Sequence, residues 1–317
     1  MAAAVANPVS VPTGLGAREV VDLASTKLNF QRLENPQTSI HQCGTKYGSQ
    51  VVRSIFEKLR ERDLAPTFEE LNLSDNKIGD EGALFLEKGF AGSNSLKKLI
   101  LPRANVGAEG FKAIGRLLAD NTSIEEVVLS SNICDAEGLQ GDFSAGLSKN
   151  KTLKSLYLGV CRLGDKGIEP LCTGPMRQHP TLEHLSLTYN RLEAPCVTYL
   201  SDMLSHNTAL RYLDLSGNSL GPSGAEALVQ GLKANKRKLE KLSVAQNVIR
   251  LPGARALAMF FLSPDGQHMQ FMDLRHNSVT YKGMIELRKE VGKPMDDSSE
   301  DGWLLLYGER QLFLNAH

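Results

Sequence analysis

The chain has 317 residues, with 36 Lys plus Arg against 36 Asp plus Glu and a formal net charge of zero. That balance excludes a general electrostatic grip on nucleic acid, which needs a basic excess, and no apolar run approaches membrane-spanning length. Five cysteines, odd in number and scattered, point away from a disulfide framework and towards buried reduced thiols in an intracellular, cytoplasmic setting.

Residues 1–17 read as a flexible arm of small residues, Pro and Gly. The start, MAAAVANPVSVP, lacks a basic n-region and is broken by Pro8 and Pro12, so it is a poor signal peptide, and Arg18 is the first basic side chain. Residues 18–67 are assigned to an N-terminal cap. Within it Val21, Leu23 and Leu28 stand at the spacing of Leu71, Leu73 and Ile78, with Thr26 where Asn76 would be. This predicts a degenerate strand that opens the stack. A polar connection through Pro36 and Gly44 follows, with no predicted element. Val51, Val52, Ile55, Phe56 and Leu59 then form the apolar stripe of a helix over 47–62.

Residues 68–293 repeat one unit. Its clearest copy is LRYLDLSGNSLGPSGAEALVQGL, in which Leu210, Leu213, Leu215, Asn218 and Leu220 fit L-x-x-L-x-L-x-x-N-x-L: a short strand, a turn closed by Asn, then a helix. The counterparts of Leu215 are Leu73, Leu101, Leu129, Leu158, Leu187, Val244 and Leu274, about 28 to 30 residues apart. The turn position reads Asn76, Ala104, Asn132, Cys161, Asn190, Asn218, Asn247 and Asn277. An amide there can donate to and accept from the backbone of adjacent turns, which Ala104 cannot do. Six residues on comes Gly in seven of the eight units, with Cys196 the exception, and four beyond that an apolar residue, which slips by one place to Phe143 in the third unit. In the fourth, Gly174 and Pro175 stand where a helix should continue, predicting a short helix or a turn.

Residues 294–317 change character. The acidic run from Asp296 to Asp301 forms a linker, and Trp303 to Tyr307 and Arg310 to Leu314 are read as two strands across a turn at Gly308 and Glu309. This segment is either a cap on the last repeat or a partner-binding tail, since Trp303, Tyr307 and Phe313 are side-chain types that interfaces favour.

The repeat resembles the leucine-rich repeat family, specifically the long helical subtype of ribonuclease inhibitor, tropomodulin and the Ran-type GTPase-activating proteins. The resemblance implies an α/β right-handed solenoid, or horseshoe, with a parallel sheet on the concave face and helices on the convex face. The connectivity agrees, because a strand, a helix and a parallel strand make a right-handed crossover, and helices wider than strands bend the stack.

No phosphate-binding glycine loop, metal-spaced Cys or His set or nucleophile elbow is found, and the histidines are dispersed in surface or turn positions. No catalytic residue, cofactor, metal or small-molecule substrate is therefore assigned. Recognition has a site, since residues between the strand leucines point out of the concave face. Its central position reads Asn72, Ile100, Val128, Tyr157, Ser186, Asp214, Ser243 and Asp273, apolar early and polar late. Flanking positions place Tyr189 and Tyr212 on strands neighbouring Tyr157, with Lys98 and Arg103 to one side. Ile100, Val128 and the three tyrosines are the predicted docking patch, with Arg103, and Trp303 and Tyr307 of the tail, as further protein-binding candidates. The function expected is a non-enzymatic scaffold that binds a protein partner, with similar repeats known in cytoskeletal, ciliary and signalling proteins. The alternatives are a regulator of a small GTPase, for which Arg103 is the one arginine suggested, or an enzyme inhibitor.

Overall fold

The computed structural model describes residues 20–22, 39–41, 48–50, 52–53, 57, 69–235, 239–291, 303–307 and 310–314. Its strands are β1 (Val20–Asp22), β2 (Ser39–His41), β3 (Glu70–Asn72), β4 (Lys98–Ile100), β5 (Glu126–Val128), β6 (Ser155–Tyr157), β7 (His184–Ser186) and β8 (Tyr212–Asp214). They continue with β9 (Lys241–Ser243), β10 (Phe271–Asp273), β11 (Trp303–Tyr307) and β12 (Arg310–Leu314). One sheet holds them all in the order β1 to β10, then β12, then β11. Every pairing is parallel except β11 with β12. The protein is thus an α/β right-handed solenoid with its parallel sheet on the concave side and its helices on the convex side.

The helices are α1 (Gly79–Phe90), α2 (Ala108–Asp120), α3 (Ala136–Leu139), α4 (Asp142–Lys149), α5 (Gly164–Thr173), α6 (Val197–His206), α7 (Gly221–Ala234), α8 (Arg250–Leu262) and α9 (Tyr281–Val291). The core between sheet and helices is leucine by repetition: Leu73, Leu101, Leu129, Leu158, Leu187, Leu215, Val244 and Leu274 are all at most 1% exposed. From β3 to β8, and in β10, each strand reads half-buried at its first residue and buried at its second, the period of two that turns alternate side chains to the concave face and to the core.

At the turn position, amide ladders form as the residue type predicts. Asn132 Nδ2 donates to the carbonyls of Leu101 and Leu129, both at 2.8 Å, and its Oδ1 accepts from the Ala104 and Val106 amides at 3.1 and 3.0 Å. Asn218 does the same for Leu187, Leu215, Asn190 and Leu192. Cys161 replaces the amide with a thiol that reaches the Leu129 carbonyl at 3.3 Å. Burial pushes that thiol up to about 11, and Cys134, Cys172 and Cys196 are likewise buried and unpaired.

Three local departures follow from sequence. In the third repeat Gly141, at φ +56°, separates α3 from α4. Phe143 is then buried against Phe111, ring centroids 5.5 Å apart. In the fourth, α5 ends at Thr173 and a 3-10 turn, Pro175–Arg177, follows Gly174. In the fifth, where Gly is replaced by Cys196, a 3-10 turn Ala194–Cys196 precedes α6.

One correction concerns the N-terminal region. The connection read as carrying no element contains β2, which stands between the degenerate strand and the first regular repeat. The predicted register survives, since Val21 pairs with Ile40 and Ile40 with Leu71, but two strands precede the regular repeats where one was expected. Of the helix predicted over 47–62, residues 49, 50, 52, 53 and 57 are helical and Val52 is 1% exposed. The flexible arm, Leu23, Thr26, Leu28 and the acidic linker lie outside the described residues.

A second ladder, at the helix C-terminal turns, escaped the sequence reading. Asn121, Asn150, Asn207 and Asn235 each donate to carbonyls of the preceding turn and accept from the amides that follow. His179 holds this place in its repeat and is 2% exposed. Its Nδ1 accepts from the Leu182 amide at 3.1 Å, so the ring must be neutral there. Burial first, then the Lys151 charge, lower its pKa to about 4, while the Leu147 carbonyl favours a proton only weakly. A base depressed in the folded state and ordinary in the unfolded chain draws protons to the unfolded state. Stability is therefore full above about pH 6.5 and falls as pH drops towards 4, by about 2 to 3 kcal/mol in all. Melting temperatures measured from pH 7 to 4.5 should show this loss, and His179→Asn, restoring the amide of the other turns, should remove its share. An identical decline in the variant would assign the loss elsewhere.

Candidate functional site

The sheet's pairing settles where the predicted side chains stand. Ile100 pairs with Val128 and Val128 with Tyr157, so the three occupy one row of the concave face, all half-buried. Adjacent strands lie about 4.8 Å apart, which makes the row a continuous stripe. It runs on through Ser186, Asp214, Ser243 and Asp273 to Phe313 of β12.

Tyr212 belongs to the parallel row one step back along the strands, with Ser155 and His184. The rows are joined by a polar chain. Ser155, two residues before Tyr157 on the same face, has its Oγ 3.2 Å from His184 Nδ1, and the His184 and Tyr212 rings meet edge to face at 6.1 Å. Tyr212 donates to Asp214 Oδ2 at 3.3 Å, and Ser216 donates to Asp214 Oδ1 through its amide at 3.0 Å and its hydroxyl at 2.6 Å. Burial pushes the Tyr157 and Tyr212 hydroxyls up, with Glu126 and Asp214 respectively adding to the effect. Burial also raises Asp214, against the bonds from Ser216 and Tyr212 that favour its charged form. These partners fix Tyr212 and His184 beside Tyr157, so the middle of the face is an aromatic and polar surface.

At its far end the face is closed by the hairpin. Asp273 and Arg275 form a two-pronged ion pair, at 2.9 and 2.6 Å. The Arg275 guanidinium lies 5.1 Å from the Phe313 ring centroid, and Phe313 sits 5.3 Å from Phe271. The strands of Trp303 and Tyr307 fall where predicted, and β12 pairs with the last repeat strand. The side chains of Trp303 and Tyr307 lie outside the described residues.

Tyr189 and Arg103 are not on strands beside Tyr157, which corrects the sequence placement of Tyr189. Both stand one residue before the turn position, in the left-handed region at φ +52° and +54°. That row of turns also holds Asp75, Ser131, Val160, Gly217, Gln246 and His276 at similar φ. Arg103 forms a bidentate pair with Asp75 of the preceding repeat, Nη2 to Oδ2 being 2.7 Å. The Tyr189 ring lies over Gly217, where a Cβ would come within 2.4 Å of it, and its hydroxyl donates to Gln246 Oε1 at 2.6 Å. The other end of the strands is self-neutralised. Glu125 bridges Lys154 at 2.8 Å and Lys97 at 3.9 Å, and Arg211 bridges Glu240 at 2.7 Å and Glu183 at 4.0 Å.

The sequence analysis missed Ser155 and His184, whose contact spans 29 residues, and Ser216, which bonds Asp214 two residues back and also lies 2.6 Å from Ser243 Oγ, 27 residues on. Among the described residues no cluster of three or more His, Cys, Asp or Glu could hold a metal ion. No helix among them is long and apolar enough to cross a membrane.

Comparison with known proteins agrees with this geometry. A family model described as Leucine Rich repeat matches residues 65–86, 149–172, 206–229 and 235–258. Ribonuclease inhibitor from Sus scrofa is 27% identical over 301 residues, covering 86% of this chain and 65% of the inhibitor. Human NACHT, LRR and PYD domains-containing protein 5 is 27% identical over 252 residues, covering 70% of this chain but only 21% of that protein. The chain therefore spans less than two thirds of the length of these relatives. A chain in the crystal structure of the Rad7 and Elc1 complex in yeast superposes with a TM-score of 0.51 at 19% identity, over 80% of this chain and 66% of that one. This last likeness shows the fold alone. The four stretches matched by the family model fall within the repeats described above, so the chain carries leucine-rich repeats and is similar to these proteins over most of its own length.

Proposed function

We propose that the protein is a non-enzymatic scaffold that binds a protein partner through its concave face, centred on Ile100, Val128 and Tyr157. One observation carries this reading: Ile100, Val128 and Tyr157 share one row of successive strands, beside a Tyr212 that is held by Asp214. Stiff, amphipathic rings set in a fixed surface are what interfaces use as anchors. Four buried, unpaired thiols support a reducing intracellular compartment such as the cytoplasm. The hairpin adds Phe313 to the same row, so the tail and the face form one surface in this reading.

Ribonuclease inhibitor, matched over 86% of this chain, supports enzyme inhibition as the second reading. It differs only in what the face holds. The small-GTPase reading loses weight because Arg103 is engaged by Asp75. Membership of a cytoskeletal or ciliary assembly has no residue that argues for it.

The test is Tyr157→Asp. It places a charge without a partner in the row and leaves the leucine core untouched, so affinity for a partner captured by the wild-type protein should fall by at least about 2 kcal/mol with little change in melting temperature. Undiminished binding by a folded variant would remove the concave face from the account.

A further inference from the structure

The large apolar side chains that stand out of this molecule are not on the concave row. Three of them, Ile133 (56% exposed), Val160 (47%) and Tyr189 (41%), lie on the turns at the C-terminal ends of the strands in repeats three to five, while Val248 lies on such a turn of the seventh repeat and Leu84, Met259, Tyr281 and Ile285 lie on helices. These turns are stacked in register, since the Ser131 amide donates to the Gly159 carbonyl, Val160 to Thr188 and Tyr189 to Ser216. Val160 and Tyr189 therefore share one row of this edge with Ser131, and Ile133 stands two residues past Ser131 on the row beside it, so the two rows form a ridge along the edge.

Arg162 and Arg191 stand on the same ridge, exposed, and neither has a hydrogen bond or ion pair among the described residues. Other charges along the edges of the sheet are paired. Arg103 engages Asp75 on the same row, and the opposite edge is an alternating ladder of acids and bases. Two guanidiniums left without acids, set among exposed apolar side chains, are complementary to an acidic, apolar-anchored chain.

Val160 adds an independent argument. It is β-branched and sits at φ +58°, a conformation strained for such a side chain. The equivalent place in the sixth repeat is Gly217, at φ +70°, so this turn accepts glycine. Nearly half exposed, Val160 gains little burial within the chain to offset its strain.

We propose that the turn edge formed by Ile133, Val160, Arg162, Tyr189 and Arg191 is a second docking surface, separate from the concave face, for an acidic peptide segment of a partner protein that carries an aromatic or aliphatic anchor. The carboxylates pair with Arg162 and Arg191, and the anchor covers Ile133 and Val160 beside the Tyr189 ring. Two arginines are too few for an anionic membrane, which is held by clusters of about four to eight basic residues.

The test uses a displayed library of random peptides panned against the full chain, with selected peptides then measured by fluorescence anisotropy. Selection should enrich peptides of net negative charge with an aromatic or large aliphatic residue. Arg162→Glu combined with Arg191→Glu should weaken them by about tenfold or more. Val160→Gly should weaken them while raising the melting temperature, a combination that a purely structural role for Val160 does not give. Tyr157→Asp should leave them unaffected, which keeps this surface distinguishable from the concave one. Enrichment of no peptide, enrichment of peptides without acidic residues, or binding indifferent to the paired arginine substitutions would overturn the proposal. So would binding to phosphatidylserine vesicles in place of peptides.

Discussion

Asn132→Ala should lower the free energy of unfolding by about 3 to 5 kcal/mol, because it strands four buried backbone groups in one step. The amide serves the Leu101 and Leu129 carbonyls and the Ala104 and Val106 amides. Its neighbours on the ladder cannot substitute. Ala104 has no donor to offer Leu101, and at Leu129 only the Cys161 thiol remains, a weak donor. Asn218→Ala removes the four equivalent bonds and a longer one to the Ser216 carbonyl at 3.4 Å, yet Asn247 Nδ2 still reaches the Leu215 carbonyl at 2.8 Å. Its cost should be smaller, about 1 to 3 kcal/mol. Urea denaturation of both variants checks the order, and an Asn132→Ala protein as stable as wild type would contradict the ladder account.

Gly146→Val should be at least as damaging, at about 3 kcal/mol or more, and for a different reason. A Cβ at Gly146 would stand 1.9 Å from the Gly115 carbonyl oxygen, and one at Gly115 would stand 2.3 Å from Phe143 Cα. Here α2 and α4 meet backbone to backbone, so no side chain can swing aside to relieve the overlap. Gly92→Ala is the control. Nothing lies within 4 Å of its added Cβ, and the change should be within about 0.5 kcal/mol. A folded Gly146→Val protein with wild-type stability would mean that these two helices do not pack as described.

The solenoid was legible because each repeat carries its own instructions. The leucine at positions such as Leu215 fills the core, the Asn at positions such as Asn218 closes the turn, and eight copies in one register leave little freedom. The strands of the C-terminal hairpin were equally plain, apolar runs either side of a Gly. What was illegible had lost its leucines or depended on distant partners. In β2, Ile40 is the single apolar residue between Ser39 and His41, too short a pattern to register as a strand. Its place is fixed by pairing with β1 and β3. The second amide ladder could have been found, since Asn121, Asn150, Asn207 and Asn235 recur at the repeat spacing, but His179 interrupts the series. The placement of Tyr189 failed because its row is decided by backbone dihedral, three residues after the strand ends, and alternation along a strand no longer applies there.

Of the candidate site, the row from Ile100 to Tyr157 followed from register alone. The network beside it did not, because Ser155, His184 and Ser216 are ordinary residues until the stacking of repeats brings them together.

The central claim, that the concave face holds the partner, is tested most directly by placing a photocrosslinker on it. A p-benzoyl-phenylalanine substituted at Val128 should become covalently joined on irradiation to the partner that the wild-type chain captures. The same group at Gln230, exposed on the convex helix α7, should not. Crosslinking from Gln230 or from Trp303 with none from Val128 would place the partner elsewhere and contradict the account.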